Sequence, residues 1–183
     1  MGSPLIIGIG HKARHGKDSL AKFLVHQLHK KSVAPLDIRR YSFATALKCY
    51  CRVNGWMTVK DGPVLQFVGT ELFREKVDAD FWVKMVDFQI QEEQPDIAIF
   101  SDMRFPNEKI FCERFGFSVK IERLNEDGSL YAVNDGRSTT HKSETALEGH
   151  QFTYDFQVKT GNMQAIENAA EWLVDVAIAT RRK

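Results

Sequence analysis

The sequence predicts an α/β fold in which a mostly parallel sheet of about five strands is flanked by helices. Two observations lead to this prediction. Short apolar segments such as PLIIGIG and DIAIFSD have the composition of strands that are buried on both faces. Segments with helical periodicity follow them, and strands that alternate with helices form parallel sheets. The 183 residues suit one domain with a substantial core, so we treat 1–183 as a single domain.

The first half of the chain alternates between the two kinds of element. PLIIGIG is an apolar run that ends in glycines, which predicts a buried strand. The segment from His15 to about Lys31 predicts a helix because its apolar side chains recur on one face. LDIRRYSF (residues 36–43) alternates as a strand does, and ATALKCYCRV predicts a helix over about 44–54 because it contains no breaker. Further helices are predicted over residues 63–77 and 81–93.

The second half continues this alternation. DIAIFSD (residues 96–102) predicts a buried strand, and the helix predicted over 107–115 ends before Gly116. The remaining predictions are strands over 117–124 and 155–159, a short helix from Ser143, and an amphipathic helix from 161–162 to about 181. Ligands bind beyond the carboxyl ends of parallel strands. The sequence places the first glycine loop, Ser42, Asp102 and Arg123 at those ends.

Residues 125–142, NEDGSLYAVNDGRSTTHK, are the polar exception. They contain two Asp-Gly turn signals and few core-forming side chains. Connections of this length inside a compact domain are commonly lids or binding loops. We therefore expect a lid over about 125–142.

Composition and charge narrow the classes of function. The formal net charge is +1, so the charge of the whole molecule does not point to DNA or to an anionic membrane. No apolar run approaches the ~20 residues of a membrane span, and the first residues lack the pattern of a signal peptide. The cysteines Cys49, Cys51 and Cys112 form neither a disulfide framework nor a zinc pattern. We expect a cytoplasmic protein with reduced thiols and no membrane partner.

The segment GHKARHGKDS, between the first strand and the first helix, has the context of a phosphate-binding loop. Aligned with G-x-x-x-x-G-K-[ST], Gly16 and Lys17 match, whereas His11 takes the first glycine position and Asp18 the hydroxyl position. Backbone N–H groups bind most of the phosphate, so the function can survive these substitutions. We expect His11 to accept a backbone position usually given to glycine, with Gly10 absorbing the turn. The candidate ATP site consists of His11, Lys12, Ala13, Arg14, His15, Gly16, Lys17, Asp18 and Ser19.

Asp18 is a candidate metal ligand. The residue after the loop lysine normally offers a hydroxyl to Mg²⁺, and a carboxylate is also a good oxygen ligand for that ion. Asp18 binds it directly or through water in this interpretation, and Ser19 is a second candidate. The alternative is a plain helix that starts near Gly16, with Lys17 and Asp18 in solvent.

Asp102 supplies a second carboxylate at the same edge of the sheet. It follows IAIFS and precedes MRFPNE. Nucleotide enzymes place a magnesium-orienting carboxylate or a base at the end of a core strand. Arg104, two residues on, offers a planar guanidinium that suits phosphate oxygens. The alternative is a strand-end aspartate that only stabilises a turn.

These segments occur in an order that resembles the phage-type deoxynucleoside monophosphate kinases, a branch of the P-loop NMP kinase superfamily. They are GHKARHGKDSLA, YSFATALK, LQFVGTELFRE, DFWV, SDMRFPNE and HKSETAL. The resemblance spans about residues 6–155, and SDMRFPNE and GKDS are its most specific parts. That branch similarly has aspartate after the loop lysine, whereas His11 departs from its usual glycine.

The resemblance implies a three-layer P-loop kinase fold with a helical acceptor-binding insertion at about 44–92 and a lid. It implies transfer of the γ-phosphoryl group of ATP, the co-substrate, to a deoxynucleoside 5′-monophosphate, with Mg²⁺ as cofactor. Lys17, Asp102, Arg104 and Arg137 would be catalytic. The acceptor would be bound by Ser42, Phe43, Lys48, Gln66, Thr70, Arg74 and Trp82, and Arg123, Arg137 and Glu144 would border the lid.

Several of these side chains have simpler interpretations. Phe43 and Trp82 have the size to stack on a base, yet such aromatic residues are more often core. Gln66 has the groups to recognise a base edge or to cap a turn, and His141 marks a helix entry. The pair Arg39 and Arg40 is typical of a solvated strand edge.

Two other functions stay open at this point. A kinase of the same branch that phosphorylates a hydroxymethylated base, such as 5-hydroxymethyluracil, within DNA would have DNA as its partner. A non-catalytic nucleotide-binding module would result if His11 blocked the loop. No N-K-x-D guanine signature of a GTPase occurs. We expect small-molecule nucleotides as partners, a homodimer as one possible state, and the host cell cytoplasm as the location if the chain is phage-encoded.

Overall fold

The structure is a computed structural model that describes residues 3–132 and 140–181. Its centre is a five-stranded sheet with the strand order β2-β3-β1-β4-β5. Every pair of neighbouring strands is parallel, which confirms the predicted α/β class. The strands are β1 (Leu5–Gly10), β2 (Ile38–Tyr41), β3 (Ile97–Met103), β4 (Gly116–Leu124) and β5 (Tyr154–Lys159).

Helices flank the sheet on both faces. They are α1 (Lys17–Lys31), α2 (Thr45–Val53), α3 (Gly62–Gln66), α4 (Phe81–Glu93), α5 (Pro106–Phe115), α6 (Lys142–Thr145) and α7 (Met163–Arg181). A π-helix, Phe67–Arg74, directly follows α3. The single helix predicted over 63–77 is therefore two helical segments of different pitch. None of the helices in the described ranges is long and apolar enough to cross a bilayer.

The alternation of side chains along the central strand β1 separates two cores. Ile7 and Ile9 pack into the core that α1 and α7 cover. Ile6 faces the opposite core, which α4 and α5 cover. This arrangement gives the three layers predicted from the sequence, and it places the carboxyl end of β1 at the middle of the sheet edge.

The segment between β2 and β3 has a small core of its own. Leu47, Cys51, Met57, Val68 and Trp82 form this cluster, which joins α2, the π-helix and the start of α4. This layer stands beside the carboxyl edge of the sheet and forms one wall of the site described below.

Gly69 in the π-helix packs closely against α2. A Cβ atom on Gly69 would lie 2.7 Å from Cδ2 of Leu47, so the Leu47 side chain would have to shift to admit a larger residue. The Gly69 carbonyl accepts a hydrogen bond of 3.0 Å from the indole Nε1 of Trp82. π-Helical turns are frequent at functional sites, and this one lines a cavity.

Candidate functional site

The loop between β1 and α1 has the shape of a phosphate-binding loop, with three residues at positive φ. These are His11 (85°), Arg14 (58°) and Gly16 (94°). Gly10, which was expected to absorb the turn, has no positive φ, whereas His11 takes the left-handed conformation usually given to glycine, as expected. Such a conformation costs about 1–3 kcal/mol in a residue other than glycine, and surrounding contacts must hold it. The buried His11 ring meets Phe152 edge-on at 6.3 Å, and its Nδ1 lies 3.5 Å from Oε1 of Glu122.

His15 ties this loop to the neighbouring strand. Its Nδ1 accepts a hydrogen bond of 3.0 Å from the Arg123 backbone N–H, so the ring proton lies on Nε2. Nε2 then donates to the Tyr131 carbonyl at 3.1 Å. Burial and the charge of Lys17 lower the pKa of His15 to about 4. The pKa of His11 is also lowered to about 4, because burial outweighs the attraction of Glu122.

Lys17 is buried at the centre of the site. Only 6% of it is exposed, and its ammonium donates to the Lys12 carbonyl within the loop. Burial, followed by the charge of Arg104, lowers the pKa of Lys17 well below its usual value, and Glu144, Asp18 and Asp102 act in the opposite direction. The alternative of a solvated Lys17 is therefore wrong.

The carboxylate of Glu144 is bound like an anion by the loop. It accepts hydrogen bonds of 3.2 Å from the Ala13 backbone N–H and of 2.8 Å from the Arg104 guanidinium. The Glu144 side chain is 9% exposed. A loop N–H and a guanidinium are the donors that phosphate oxygens prefer, so Glu144 uses donors that a phosphate can also use.

The Asp102 carboxylate holds the connection between β2 and α2. It accepts hydrogen bonds from the Ser42 hydroxyl at 2.5 Å and from the backbone N–H groups of Phe43 and Ala44 at 3.2 and 3.1 Å. Stabilising this turn, the simpler interpretation of Asp102, is therefore one part of its role. The same carboxylate raises the pKa of Lys17, so it is also part of the electrostatic environment of the loop.

Asp18 is held by two residues that the sequence did not predict for the site. The Ser101 hydroxyl donates to its Oδ1 at 2.7 Å, and the Arg40 guanidinium donates to the same oxygen at 3.1 Å. Partial burial raises the pKa of Asp18, but Ser101 and Arg40 reverse this effect and lower it. Arg40 is exposed, as predicted for a strand edge, yet it also reaches the loop. The sequence does contain one indication that Ser101 belongs to the site, which is its position directly before Asp102.

A cavity of about 180 Å³ lies between the sheet edge and the layer of α2, α3 and the π-helix. Apart from Ser42, which is bound to Asp102, every predicted acceptor residue lines it: Phe43, Lys48, Gln66, Thr70, Arg74 and Trp82. Asp102, Arg104 and Glu144 line it too. Lys60, which the sequence analysis missed, adds a positive charge to this wall.

Two of these lining residues are also core. Phe43 is buried and stacks on Phe100 with 4.5 Å between the ring centres. Trp82 is buried and its indole N–H is bound to Gly69. The simpler interpretation of both rings as core is confirmed, and their role toward a base stays a prediction.

Arg74 and Glu108 form a buried pair behind this cavity. The Arg74 guanidinium donates to the Glu108 carboxylate and lies 4.0 Å from the ring centre of Phe105. Glu108 also accepts hydrogen bonds from the backbone N–H groups of Arg104 and Phe105, at 2.6 and 3.1 Å, at the start of α5. Burial raises the pKa of Glu108 to about 7 against the effect of Arg74. The pair fixes the backbone from which Arg104 projects.

The short helix α6 is fastened to the π-helix. His141 Nδ1 accepts from the Ser143 N–H at 3.1 Å, which confirms its helix-entry role, while Nε2 lies 2.9 Å from Glu71 Oε1. Lys142 pairs with Glu75. Because Glu144 of the same helix contacts the loop, α6 connects both sides of the cavity.

A second cavity of about 380 Å³ is lined by the loop itself. Arg14–Ser19 line one wall, Arg123 and residues 158–163 another. The sequence analysis did not include 158–163, although Gly161 marks a turn at the carboxyl end of β5. Arg123 lies 3.8 Å from the Tyr131 ring centre and donates to the Thr160 hydroxyl at 2.8 Å. The predicted catalytic residue Arg137 lies outside the described residues.

Within residues 3–132 and 140–181, no group of three or more histidine, cysteine, aspartate or glutamate side chains is arranged to hold a metal ion. A nucleotide-bound Mg²⁺ needs no such group, since phosphates and waters supply most of its ligands. Asp18, whose side chain is 79% exposed, is accessible as a single carboxylate ligand for such an ion.

Comparison with known proteins gives one partial relative. No family model matches the chain. A deoxynucleoside-5'-monophosphate kinase of Escherichia phage T5 is 44% identical over 45 residues. This match covers 25% of the chain and 18% of the phage protein. It supports a kinase-like relation over that segment alone.

The neutral, buried state of His11 and His15 predicts a loss of stability in acid. Their folded pKa of about 4 lies below the ordinary 6.5, so the unfolded chain binds more protons between these values. The free energy of unfolding should fall as the pH drops through this window, by at most about 1.4 kcal/mol per pH unit for each histidine. Urea denaturation at a series of pH values between about 4 and 6.5 measures this change in the free energy of unfolding. His15→Gln should flatten the slope and His26→Gln, at an exposed position, should not; equal slopes would contradict the prediction.

The contacts of Glu144 predict that its charge opposes phosphate binding. Glu144→Gln keeps the shape and removes the negative charge beside Ala13 N–H and Arg104. We expect the affinity for inorganic pyrophosphate, measured by titration calorimetry, to rise several-fold. Glu92→Gln removes an exposed charge on α4 and is the matched control. Unchanged or weaker binding by Glu144→Gln would show that Glu144 positions Arg104 instead.

Proposed function

We propose that this chain is a kinase that transfers the γ-phosphoryl group of ATP to the 5′-phosphate of a deoxynucleoside monophosphate, with Mg²⁺. The observation that carries the proposal is a pair of cavities that meet at one loop: residues 14–19 of the loop segment line the larger cavity, and the smaller one is lined by Arg104 and by Glu144, whose carboxylate contacts the loop at Ala13. A transferase of this kind needs two nucleotide sites that meet at the transferred group. Lys17 belongs to one cavity and is electrostatically coupled to Arg104 and Glu144 of the other. The partial likeness to the phage T5 kinase agrees with this proposal.

The larger cavity suits the donor. Its wall holds the N-terminus of α1, where backbone N–H groups and the helix dipole attract phosphate. Lys12 and Arg14 add positive charge to the loop. Arg123 and residues 158–163 line the part away from α1, where the nucleoside of ATP has room.

The smaller cavity suits the acceptor. Lys48, Lys60 and Arg104 line it and complement the charge of a monophosphate. Phe43 and Trp82 contribute apolar surface, and Gln66 and Thr70 contribute groups that can bind a base by hydrogen bonds.

The residues between the cavities supply charge and position, which is what phosphoryl transfer needs. The acceptor phosphate is already a nucleophile, so no strong base is required. Lys17 and Arg104 stabilise the charge of the transferred group once a phosphate takes over the donors of Glu144. Asp102 holds the 42–44 connection against the acceptor cavity. Asp18, with Ser19 nearby, would hold Mg²⁺, which would neutralise part of the charge of the phosphates.

A coupled assay with Mg·ATP tests the proposal. We expect turnover with at least one of dTMP, dGMP and dCMP. Activity only on hydroxymethylated duplex DNA would favour the DNA-base kinase, for which salt-dependent DNA retention is the second test. ATP binding without turnover on any acceptor would favour a non-catalytic module. Either result contradicts the proposed substrate.

Two substitutions test the chemistry of the site. Lys17→Ala removes the buried ammonium, and Asp102→Ala releases the 42–44 connection. Each should lower kcat by orders of magnitude while the circular dichroism spectrum stays native. Lys22→Ala, at an exposed position of the same helix as Lys17, should keep the full rate. A near-wild-type rate in Asp102→Ala would remove that residue from the catalytic role.

A further inference from the structure

The hydrogen bond between Asp18 and Ser101 joins the two positions that hold Mg²⁺ in nucleotide-binding loops of this type. There the residue after the loop lysine normally supplies a hydroxyl, and an aspartate from a neighbouring strand supplies the carboxylate. In this chain the loop supplies a carboxylate and β3 supplies a hydroxyl, and the two meet at 2.7 Å. We propose that the magnesium-binding pair is exchanged, with Asp18 as the ligand and Ser101 as its positioning residue. This inference rests on the proposed function.

The geometry leaves one oxygen of Asp18 for the metal. The side-chain hydrogen bonds from Ser101 and Arg40 both go to Oδ1. Arg40 also donates to the Ser101 hydroxyl at 3.2 Å, so the three side chains form a closed set. Among the described residues these side-chain donors bind Oδ1 alone, and the Asp18 side chain is 79% exposed, which leaves Oδ2 for an ion. A carboxylate held on one oxygen and open on the other is pre-organised for an ion or its water.

Asp102, the other strand-end carboxylate, has a different task. Its Oδ2 accepts from the Ser42 hydroxyl and the Ala44 N–H, and its Oδ1 accepts from the Phe43 N–H. Both oxygens are thus engaged by the 42–44 connection. Adjacent residues of a strand point to opposite sides. Ser101 accordingly contacts the metal ligand Asp18, whereas Asp102 contacts the 42–44 connection in the wall of the acceptor cavity.

An exchanged pair has a sharp test, because the exchange can be reversed. The measurement is the affinity for ATP by titration calorimetry with Mg²⁺ and with EDTA, and the readout is the ratio of the two. We expect Mg²⁺ to tighten ATP binding to the wild type about tenfold or more. Asp18→Ser should lose most of this gain. The double variant Asp18→Ser with Ser101→Asp, which restores one hydroxyl and one carboxylate in the usual places, should recover it.

Further variants keep the test decisive if the double variant does not fold. Asp18→Asn should abolish the Mg²⁺ gain, and Ser101→Ala should reduce it several-fold, because the carboxylate loses its orientation. Asp102→Asn should keep the gain. Arg39→Gln is the control for the loss of a neighbouring charge, since Arg39 pairs with Asp37 and Glu93 away from the loop. Thermal unfolding verifies that each variant is native.

The outcomes separate this inference from the proposed function. If the wild type binds Mg·ATP but Asp18→Asn keeps the Mg²⁺ gain, or Asp102→Asn loses it, the exchange is wrong while the kinase proposal stands. If the wild type binds no ATP with or without Mg²⁺, both are overturned. Recovery in the double variant alongside loss in Asp18→Ser supports the exchange.

Discussion

The burial of the Lys17 ammonium is the constraint around which the site is arranged. A buried cation costs several kcal/mol unless opposite charge and hydrogen-bond acceptors surround it. Here they come from four places in the chain: the Lys12 carbonyl in the loop accepts a hydrogen bond from the ammonium, and the carboxylates of Asp18 at the start of α1, Asp102 at the end of β3 and Glu144 in α6 supply opposite charge. Each of these elements must come close to the carboxyl end of β1 for the charge to be tolerated. The same demand brings Arg104 near, because it needs Glu144 as its partner.

Much of the fold was predictable because strong periodic signals determine it locally. The apolar runs of β1 and β3 read as buried strands on their own, and α4 has the predicted bounds. The π-helix was not predictable in this way. Its residues make tertiary contacts, such as Gly69 against Leu47 and the hydrogen bond from Trp82, that a helical pattern does not contain.

The candidate site shows the same difference between residues that local sequence signals predict and residues that depend on tertiary contacts. The sequence predicted the loop, and the family resemblance supplied half of the residues that line the smaller cavity, because the motifs carry them in order. It missed Ser101 and Arg40, since the partner of Asp18 depends on how β2 and β3 pair beside the loop. It assigned the glycine-like position to His11 correctly, but it also expected Gly10 to absorb the turn, and Gly10 has no positive φ. His11 tolerates a positive φ because its ring is buried beside Phe152. A contact between residues this far apart in the chain has no signal in the local sequence.

The double attachment of α6 has a consequence for how the two cavities communicate. One end of this short helix is bound to the π-helix through His141 and Lys142, and Glu144 binds the loop. A ligand that displaces α6 from either side changes the free energy of the other side by the same amount, since linkage between two sites is reciprocal. A four-residue helix thereby couples the two cavities, and its contacts with Glu71 and Glu75 contribute to that coupling.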